Sequence, residues 1–296
     1  MKNTIFTGAG VALVTPFAAD GTIDYDVMAQ LIEDQIAAGT DALIIAGTTG
    51  ESSTLTEEEH VEVIRFAVER AAHRVPVIAG TGSNDTAFCI ALSQDAERVG
   101  ADALLLVTPY YNKATQKGLY IHYKAIADAV NLPIILYNVP SRTGVNIEIE
   151  TVAKLAALPN IVAIKEASGN ISYVAKLMER CGDIIDVYSG NDDQIVPMMA
   201  LGAKGVISVL SNVCPKETHD MAMAALQGDY QTAAKLQLDY LNLINALFIE
   251  VNPIPVKEAM NLMGMQVGEC RLPLCEMEEK NREVLRAALA KHDLLA

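Results

Sequence analysis

The sequence predicts an α/β chain that folds as a closed (β/α)8 barrel followed by a small helical region. Eight short apolar segments recur along the first 210 residues, helical patterns separate them, and the strand-like segments stop before Gly228. Continuously apolar strands are typical of a parallel sheet that is covered on its outer face. Eight βα units within about 225 residues close into a barrel more naturally than into a doubly wound sheet.

The segments predicted as strands are residues 10–15, 41–46, 76–81, 102–107, 133–138, 161–166, 185–190 and 205–210. Between them, the stretch 56–73 shows the clearest helical period, and Thr56 with Glu59 three residues later forms a capping-box pattern. The repeated AGTDALII, VGADALLL and LGAKGVIS each place a glycine before a strand, where it suits a helix C-cap. The chain therefore alternates strand and helix throughout this part.

The domain organisation predicted is a catalytic barrel over 1–228 and a C-terminal helical region over 229–296. Helical patterns cover 230–250, 255–263 and 276–289, and NPIP and RLPL interrupt them. A chain of 296 residues of which 51% are apolar can bury one large core.

Charge and hydropathy exclude several classes of partner. The formal net charge of -15 disfavours binding to nucleic acid or to an anionic membrane, because both need clustered Lys and Arg. No run approaches the 18 or so apolar residues of a membrane helix, and MKNTIFTGAG lacks the pattern of a secretory signal. We expect a cytoplasmic protein with a small-molecule substrate.

Metal and redox chemistry are not indicated by the cysteines or histidines. The five cysteines form no C-x-x-C pair, and the histidines show neither H-x-x-H nor H-E-x-x-H spacing. We expect reduced, mostly buried thiols and no metal site.

Lys165 ends the apolar segment IVAIKE (161–166). Because strand residues alternate between the barrel interior and the helix layer, Ile161, Ala163 and Lys165 are predicted to share the interior face. Burial lowers the pKa of an ammonium, which favours attack on a carbonyl and formation of a Schiff base. The alternative is a lysine that reaches solvent or pairs with an acid.

Polar residues follow several other predicted strands. They are Thr48 and Thr49 in GTTGES, Tyr110 and Tyr111 in TPYYN, Tyr137 and Arg142 in YNVPSRTG, and Gly190 in SGN. Each alone also suits a turn, a half-buried core residue or a surface charge. Barrel enzymes keep their chemistry at the carboxyl ends of several strands, so the joint arrangement indicates an active site there.

The chain resembles, over essentially its whole length, the dihydrodipicolinate synthase and N-acetylneuraminate lyase family of class I aldolase-like TIM barrels. The motifs that carry the resemblance are GTTGES, TPYYN, YNVPSRTG, IKEASGN, GVISV and NPIPVK. The resemblance implies condensation of pyruvate with L-aspartate 4-semialdehyde through a lysine Schiff base, in lysine and diaminopimelate biosynthesis. It implies no cofactor besides the covalent imine.

The resemblance also implies roles for individual residues. Lys165 forms the imine with pyruvate, and Tyr137 exchanges protons with Thr48 and Tyr111. Substrate contacts are implied for Thr49, Arg142, Gly190 and Ile207. Arg142 offers a bidentate clamp for the carboxylate of the amino-acid aldehyde, and the neuraminate lyases lack arginine there.

Assembly and regulation are implied by the resemblance as well. Tyr111 is similar to a tyrosine that reaches the neighbouring subunit's site, and a homotetramer built as a dimer of dimers is implied. Regulated members bind lysine at the dimer interface, where the matching positions are Ser52, Ser53, Glu57, His60, Asn84, Phe88 and Tyr110. Phe88 replaces a glutamate that pairs with the lysine ammonium, and Glu57 replaces a frequent histidine. We therefore expect weak or absent inhibition by lysine.

Two other functions stay open from the sequence. One is a retro-aldol lyase for a sugar acid such as N-acetylneuraminate or 2-keto-3-deoxygluconate, which would use the same imine. The other is a catalytically silent barrel that binds a small molecule, because a fold alone does not guarantee chemistry. Arg142 and the threonine pair of GTTGES argue against the first. The combination of a nucleophilic amine with proton-transfer hydroxyls argues against the second.

Overall fold

Eight parallel strands, paired in chain order, close into a barrel in this computed structural model, which describes residues 4–296. The strands are β1 (Gly8–Ala12), β2 (Ala42–Ile45), β3 (Val77–Gly80), β4 (Ala103–Val107), β5 (Ile134–Asn138), β6 (Ile161–Glu166), β7 (Asp186–Ser189) and β8 (Gly205–Ser208). Strand β8 pairs with β1 and completes the barrel. The predicted (β/α)8 architecture is confirmed.

Helices form the outer layer of the barrel and the C-terminal segment. They are α1 (Tyr25–Ala37), α2 (Glu57–Ala71), α3 (Thr86–Arg98), α4 (Gln116–Ala129), α5 (Pro140–Thr143), α6 (Ile149–Leu155), α7 (Ile171–Cys181), α8 (Ile195–Ala200), α9 (Pro215–Leu226), α10 (Tyr230–Ala246), α11 (Ile254–Leu262) and α12 (Glu279–Ala290). Short 3-10 turns cover 52–54, 192–194 and 210–212. Thr56 caps α2 with the predicted capping box to Glu59.

The strands separate two apolar layers. In β1, Ala9 and Val11 pack toward the helices, whereas Ala12 belongs to the cluster inside the barrel. Phe6, which precedes β1, stacks on Tyr188 with ring centroids 4.4 Å apart. Since Phe6 lies at the amino-terminal end of the strands, this stack fills that end of the interior. The carboxyl ends remain for a cavity.

Strand β6 departs from strict alternation. Its register with β5 shifts, because Ile134 pairs with Ile161 while the next residue, Ile135, pairs with Ala163. The skipped Val162 joins the interior cluster together with Ala163, and Ile161 packs in the helix-facing layer. The prediction that Ile161 shares the face of Lys165 is therefore wrong, because a bulge reverses the alternation below Ala163.

The C-terminal segment contains α10, α11 and α12, which begin and end within a few residues of the predicted helical stretches. In the part of the chain described, no helix is both long and apolar enough to cross a membrane. The segment between α10 and α11 reaches the carboxyl end of the barrel, where Phe248 and Asn252 line a cavity.

Candidate active site

A cavity of about 210 Å³ opens at the carboxyl ends of the strands. Among the predicted site residues, those that line it are Thr48, Thr49, Ser52, Tyr137, Arg142, Lys165 and Gly190. They come from the loops or ends of β2, β5, β6 and β7. The barrel thus brings together side chains that lie more than 100 residues apart in sequence.

Lys165 lies in β6 between Tyr137 of β5 and Tyr188 of β7. The side chain is only 6% exposed, and Nζ lies 4.4 Å from the centroid of the Tyr137 ring. Burial lowers the pKa of the Lys165 ammonium to about 8, and the nearby charges of Asp192 and Arg142 act in opposite directions on it. A lysine with this pKa is a nucleophile near neutral pH.

Asp192 is the carboxylate that acts on Lys165, and sequence reasoning missed it. Its Oδ2 accepts hydrogen bonds from the backbone N–H groups of Val209 at 3.0 Å and Leu210 at 2.9 Å, just beyond β8. The side chain is buried, and burial raises its pKa. The run SGNDD after β7 carried the signal, because a carboxylate directly after a barrel strand tends to lie near the site.

Tyr137 is the second buried titratable group of the cavity. Burial raises the pKa of its phenol, whereas the Arg142 charge and a hydrogen bond with Thr48 lower it. Tyr137 and Thr48 therefore form a pair of hydroxyl groups beside the Lys165 amine. Such a pair can pass a proton to or from a group that is bound to the amine.

The Thr48-Thr49 turn follows β2 and is folded tightly. Glu51 has a left-handed backbone with φ of 55°, and its N–H donates to Thr48 O at 3.1 Å. Within residues 4–296, the backbone N–H groups of Thr48 and Thr49 donate no hydrogen bond to the protein. Oriented amides without partners commonly bind anions such as carboxylates.

Arg142 lies in the short helix α5 at the other side of the cavity. Its Nη2 donates to the backbone oxygen of Asn252 at 3.2 Å, which ties the guanidinium to the C-terminal segment. The Asn252 side chain in turn donates from Nδ2 to Thr49 Oγ1 at 2.9 Å. Asn252 is a second residue that sequence reasoning missed, although its motif NPIP stands out as a break between two helical patterns.

Gly190 leaves no room for a side chain beside Lys165. A Cβ at this position would lie 2.7 Å from the Cβ of Ala167 and 3.0 Å from Cε of Lys165. Ile207, by contrast, is fully buried in the interior cluster and does not line the cavity. Tyr111 lies outside the cavity of the single chain, with a left-handed backbone and 90% of its surface exposed.

The candidate lysine-effector residues lie in the turn after β2, at the start of α2, and around the loops that follow β3 and β4. His60 is buried and its Nε2 lies 2.8 Å from Gly80 O, and burial lowers its pKa. Asn84 Nδ2 donates to Tyr110 O at 3.1 Å. Phe88 is 41% exposed on α3 and brings no charge to this surface.

A buried ion pair holds the other side of the Thr48-Thr49 turn. Lys257 Nζ lies 2.9 Å from Glu51 Oε1, and both side chains are almost fully buried. Lys257 also donates to Thr15 O at 3.1 Å and to Glu269 O at 2.8 Å. Glu51 Oε2 accepts from the backbone N–H of Arg271 at 2.9 Å. The C-terminal segment thus anchors the turn at two places, Glu51 and Thr49.

Cysteines and metal-ligating residues do not form a site in the described residues. Cys89, Cys181 and Cys214 are buried free thiols, Cys270 is half-buried and Cys275 is exposed. Across residues 4–296, no group of three or more His, Cys, Asp or Glu residues has the arrangement of a metal site.

Comparisons with known proteins identify relatives that match this chain over almost its whole length. The 4-hydroxy-tetrahydrodipicolinate synthase of Acetivibrio thermocellus is 58% identical over 295 residues, which is 100% of both chains. The dihydrodipicolinate synthase structure from Aquifex aeolicus has a TM-score of 0.96 and 50% identity, covering 98% of this chain and 99% of that one. The chloride-inhibited dihydrodipicolinate synthase from Acinetobacter baumannii, complexed with pyruvate, has a TM-score of 0.97 and 48% identity, covering 99% of this chain and 100% of that one. The sequence profile of the dihydrodipicolinate synthetase family matches residues 5–292, and the chain belongs to that family.

Proposed function

We propose that this protein catalyses the 4-hydroxy-tetrahydrodipicolinate synthase reaction, the condensation of pyruvate with L-aspartate 4-semialdehyde in lysine biosynthesis. The observation that carries the proposal is the Lys165 amine, buried beside Tyr137, in one cavity with a turn for one carboxylate and an arginine for another. Relatives that carry this name are similar over the whole chain.

The covalent steps follow from the Lys165 amine. Neutral Lys165 attacks the C2 carbonyl of pyruvate, and loss of water gives the imine. Removal of a proton from the pyruvate methyl carbon gives an enamine, which attacks the aldehyde carbon and forms the new carbon–carbon bond. Attack on the imine carbon by water, or by the amino group that came with the aldehyde substrate, then expels Lys165 as a free amine and releases the adduct. Tyr137, Thr48 and Tyr111 are the groups that move protons in these steps.

The two carboxylates have separate partners in this proposal. The Thr49 hydroxyl and the free amides of its turn bind the pyruvate carboxylate. Arg142 binds the carboxylate of the aldehyde substrate. Gly190 leaves space for the reacting atoms beside Lys165, whereas Ile207 packs in the interior cluster and is no longer proposed to contact substrate. No cofactor or metal is needed, because the imine is the electron sink; activity after dialysis against a chelator checks this.

Assembly also belongs to the proposal. Tyr111, 90% exposed in the single chain, is proposed to enter the site of a neighbouring copy, so that a dimer is the active unit and two dimers form a tetramer. A chain in which 1–228 forms the barrel and 229–296 supplies helices and the Asn252 contact then acts as one catalytic unit in the cytoplasm. Sedimentation of the protein and of a Tyr111→Ala variant measures the assembly.

Lysine is proposed to be at most a weak inhibitor. Phe88 offers no carboxylate to a lysine ammonium, and His60 is already engaged with Gly80 O. Losing one charge-assisted hydrogen bond costs about 1.5 to 3 kcal/mol, or roughly ten- to a hundredfold in affinity. Half-inhibition by lysine well below millimolar in a steady-state assay would contradict this.

The decisive experiment is the intact mass of the protein after incubation with pyruvate and borohydride. We expect a pyruvate-sized reduced adduct on the wild type and none on Lys165→Ala. Lack of an adduct on the wild type would contradict the proposed enzymatic activity and favour a barrel that only binds small molecules.

A second experiment separates the two Schiff-base reactions. The Arg142→Ala variant is expected to lose turnover of the semialdehyde, because its carboxylate loses a bidentate partner. Turnover of N-acetylneuraminate or 2-keto-3-deoxygluconate by the wild type, unaffected by Arg142→Ala, would identify a sugar-acid lyase instead.

A further inference from the structure

We propose that Asn252 is a positioning residue that turns the Thr49 hydroxyl proton toward the first substrate and holds Arg142 for the second. The inference rests on the proposed function, since it concerns how the two carboxylates are bound. Asn252 comes from the segment between α10 and α11, outside the strands and their loops. It is 4% exposed and lines the cavity.

The Thr49 hydroxyl has one proton, and Asn252 decides where it points. A threonine hydroxyl has a single O–H to donate and two lone pairs to accept. Asn252 Nδ2 can only donate, and it lies 2.9 Å from Thr49 Oγ1. Thr49 therefore accepts from Asn252 and keeps its own proton. In residues 4–296 the Thr49 hydroxyl has no other hydrogen-bond partner, so this proton is available to a carboxylate in the cavity.

The Asn252 amide is oriented with Nδ2 toward Thr49. Its Oδ1 is buried and makes no hydrogen bond within the described residues. A rotated amide would place Oδ1 against Thr49 and attract the hydroxyl proton away from the cavity. With Nδ2 toward Thr49, Oδ1 stays unpaired at some cost, and the Thr49 proton is left for an anionic ligand.

Asn252 also contacts Arg142. The backbone oxygen of Asn252 accepts from Arg142 Nη2 at 3.2 Å. Asn252 thus contacts both Thr49, which is proposed to bind pyruvate, and Arg142, which is proposed to bind the aldehyde substrate. Asn252 is held in place by the nearby helix α11, because Lys257 of that helix forms the buried ion pair with Glu51.

The test uses Asn252→Asp and Asn252→Ala in the full-length protein, with pyruvate affinity measured from the fraction trapped by borohydride at each pyruvate concentration. Ionised aspartate can only accept, so it reverses the Thr49 hydroxyl and adds a negative charge near the pyruvate carboxylate. We expect pyruvate affinity to fall about ten- to a hundredfold in Asn252→Asp and only about two- to fivefold in Asn252→Ala. The KM of the aldehyde should change less than pyruvate affinity in both variants, since the backbone oxygen remains.

The order of the two variants separates positioning from simple packing. Aspartate has nearly the shape of asparagine, so a purely structural role predicts that alanine is the more harmful change. Alanine as harmful as aspartate, or unchanged pyruvate affinity in Asn252→Asp, would overturn the inference. Asn261→Asp is the matched control, because Asn261 donates to Gly268 O at 2.9 Å within the same region and lies outside this cavity.

A coupling measurement covers the case of an unstable aspartate variant. Thr49→Val removes the hydroxyl, so adding Asn252→Ala should then cost nothing further in pyruvate affinity. Fully additive losses would overturn the inference. Absence of a pyruvate adduct on the wild type would instead contradict the proposed function itself, so the two failures are distinguishable.

Discussion

Two buried lysines, Lys257 and Lys165, lie near the Thr48-Thr49 turn and differ in their hydrogen-bond partners. Lys257 is 1% exposed and has a carboxylate, two backbone oxygens and the Phe17 ring, 4.3 Å away, as partners. Lys165 is 6% exposed, and within residues 4–296 its Nζ has the face of Tyr137 but no hydrogen-bond acceptor. Burial lowers the pKa of both ammonium groups.

The two lysines therefore differ in their partners and not in their burial alone. At Lys257, the charge and hydrogen bonds of Glu51 oppose the effect of burial on its pKa, and the pair connects the C-terminal segment to the barrel. At Lys165, Asp192 opposes burial only through space, and the pKa falls to about 8. Substitutions at both lysines and their neighbours test whether the partners of a buried lysine, rather than its burial, decide whether it stabilises the fold or reacts with a substrate.

The largest expected effect is on stability in Lys257→Met. Removing one partner leaves Glu51 buried without its counter-charge, and such a loss costs about 3 to 5 kcal/mol in the free energy of unfolding. Urea denaturation measures it. The control is Lys216→Met, which breaks an exposed pair with Asp220 and should cost less than about 1 kcal/mol. A loss at Lys257 no larger than at Lys216 would remove the proposed contrast.

Lys165→Met is expected to increase the free energy of unfolding, whereas Lys257→Met decreases it. The pKa of Lys165 is about 8 in the folded protein, against 10.5 for a lysine in water, so folding with a charged Lys165 costs about 3 kcal/mol below pH 8. The variant should therefore be more stable at pH 7, by up to about 3 kcal/mol, while losing the pyruvate adduct. The folded wild type binds fewer protons than the unfolded chain between pH 8 and 10.5, so the advantage should decline across that range. A destabilised Lys165→Met at pH 7 would contradict this expectation.

Adduct formation should depend on pH through Lys165. With a pKa of about 8, roughly a tenth of the amine is neutral at pH 7. The initial rate of imine formation, measured by mixing with pyruvate and quenching with borohydride, should rise about tenfold from pH 6 to 7 and level off above pH 8. A rate that is flat from pH 6 to 8 would show that another step limits the reaction.

The smallest expected effect is the shift of that profile in Asp192→Asn. Asp192 raises the pKa of Lys165, so removing its charge should move the midpoint to lower pH by less than about one unit. Asparagine can still accept from Val209 and Leu210 through its oxygen. Asp193→Asn, at the exposed neighbouring residue, should leave the midpoint unchanged. A shift to higher pH in Asp192→Asn would refute the electrostatic role.

The strands, the barrel and the buried position of Lys165 could be predicted because their signals are local. Apolar runs and a terminal lysine are visible within a few residues of sequence. The face of Ile161 could not be predicted, because the bulge in β6 depends on the register with β5. Asn252 was missed for a similar reason, since its partner Thr49 lies 203 residues away. The environment of Tyr111 and Phe88 in an assembly depends on surfaces that one chain does not contain.

The anchoring of the Thr48-Thr49 turn by residues near the end of the chain has a consequence for biosynthesis. A chain still on the ribosome presents all eight strands and Lys165 before Asn252, Lys257 and Arg271 have emerged. Domains form from the amino terminus onward during synthesis. The nascent barrel would therefore contain the Lys165 amine before the Thr48-Thr49 turn, which is proposed to bind the pyruvate carboxylate, is held in place. We therefore expect pyruvate to react with Lys165 only after the last helices have packed, so that the proposed chemistry begins once this late part of the chain has been made.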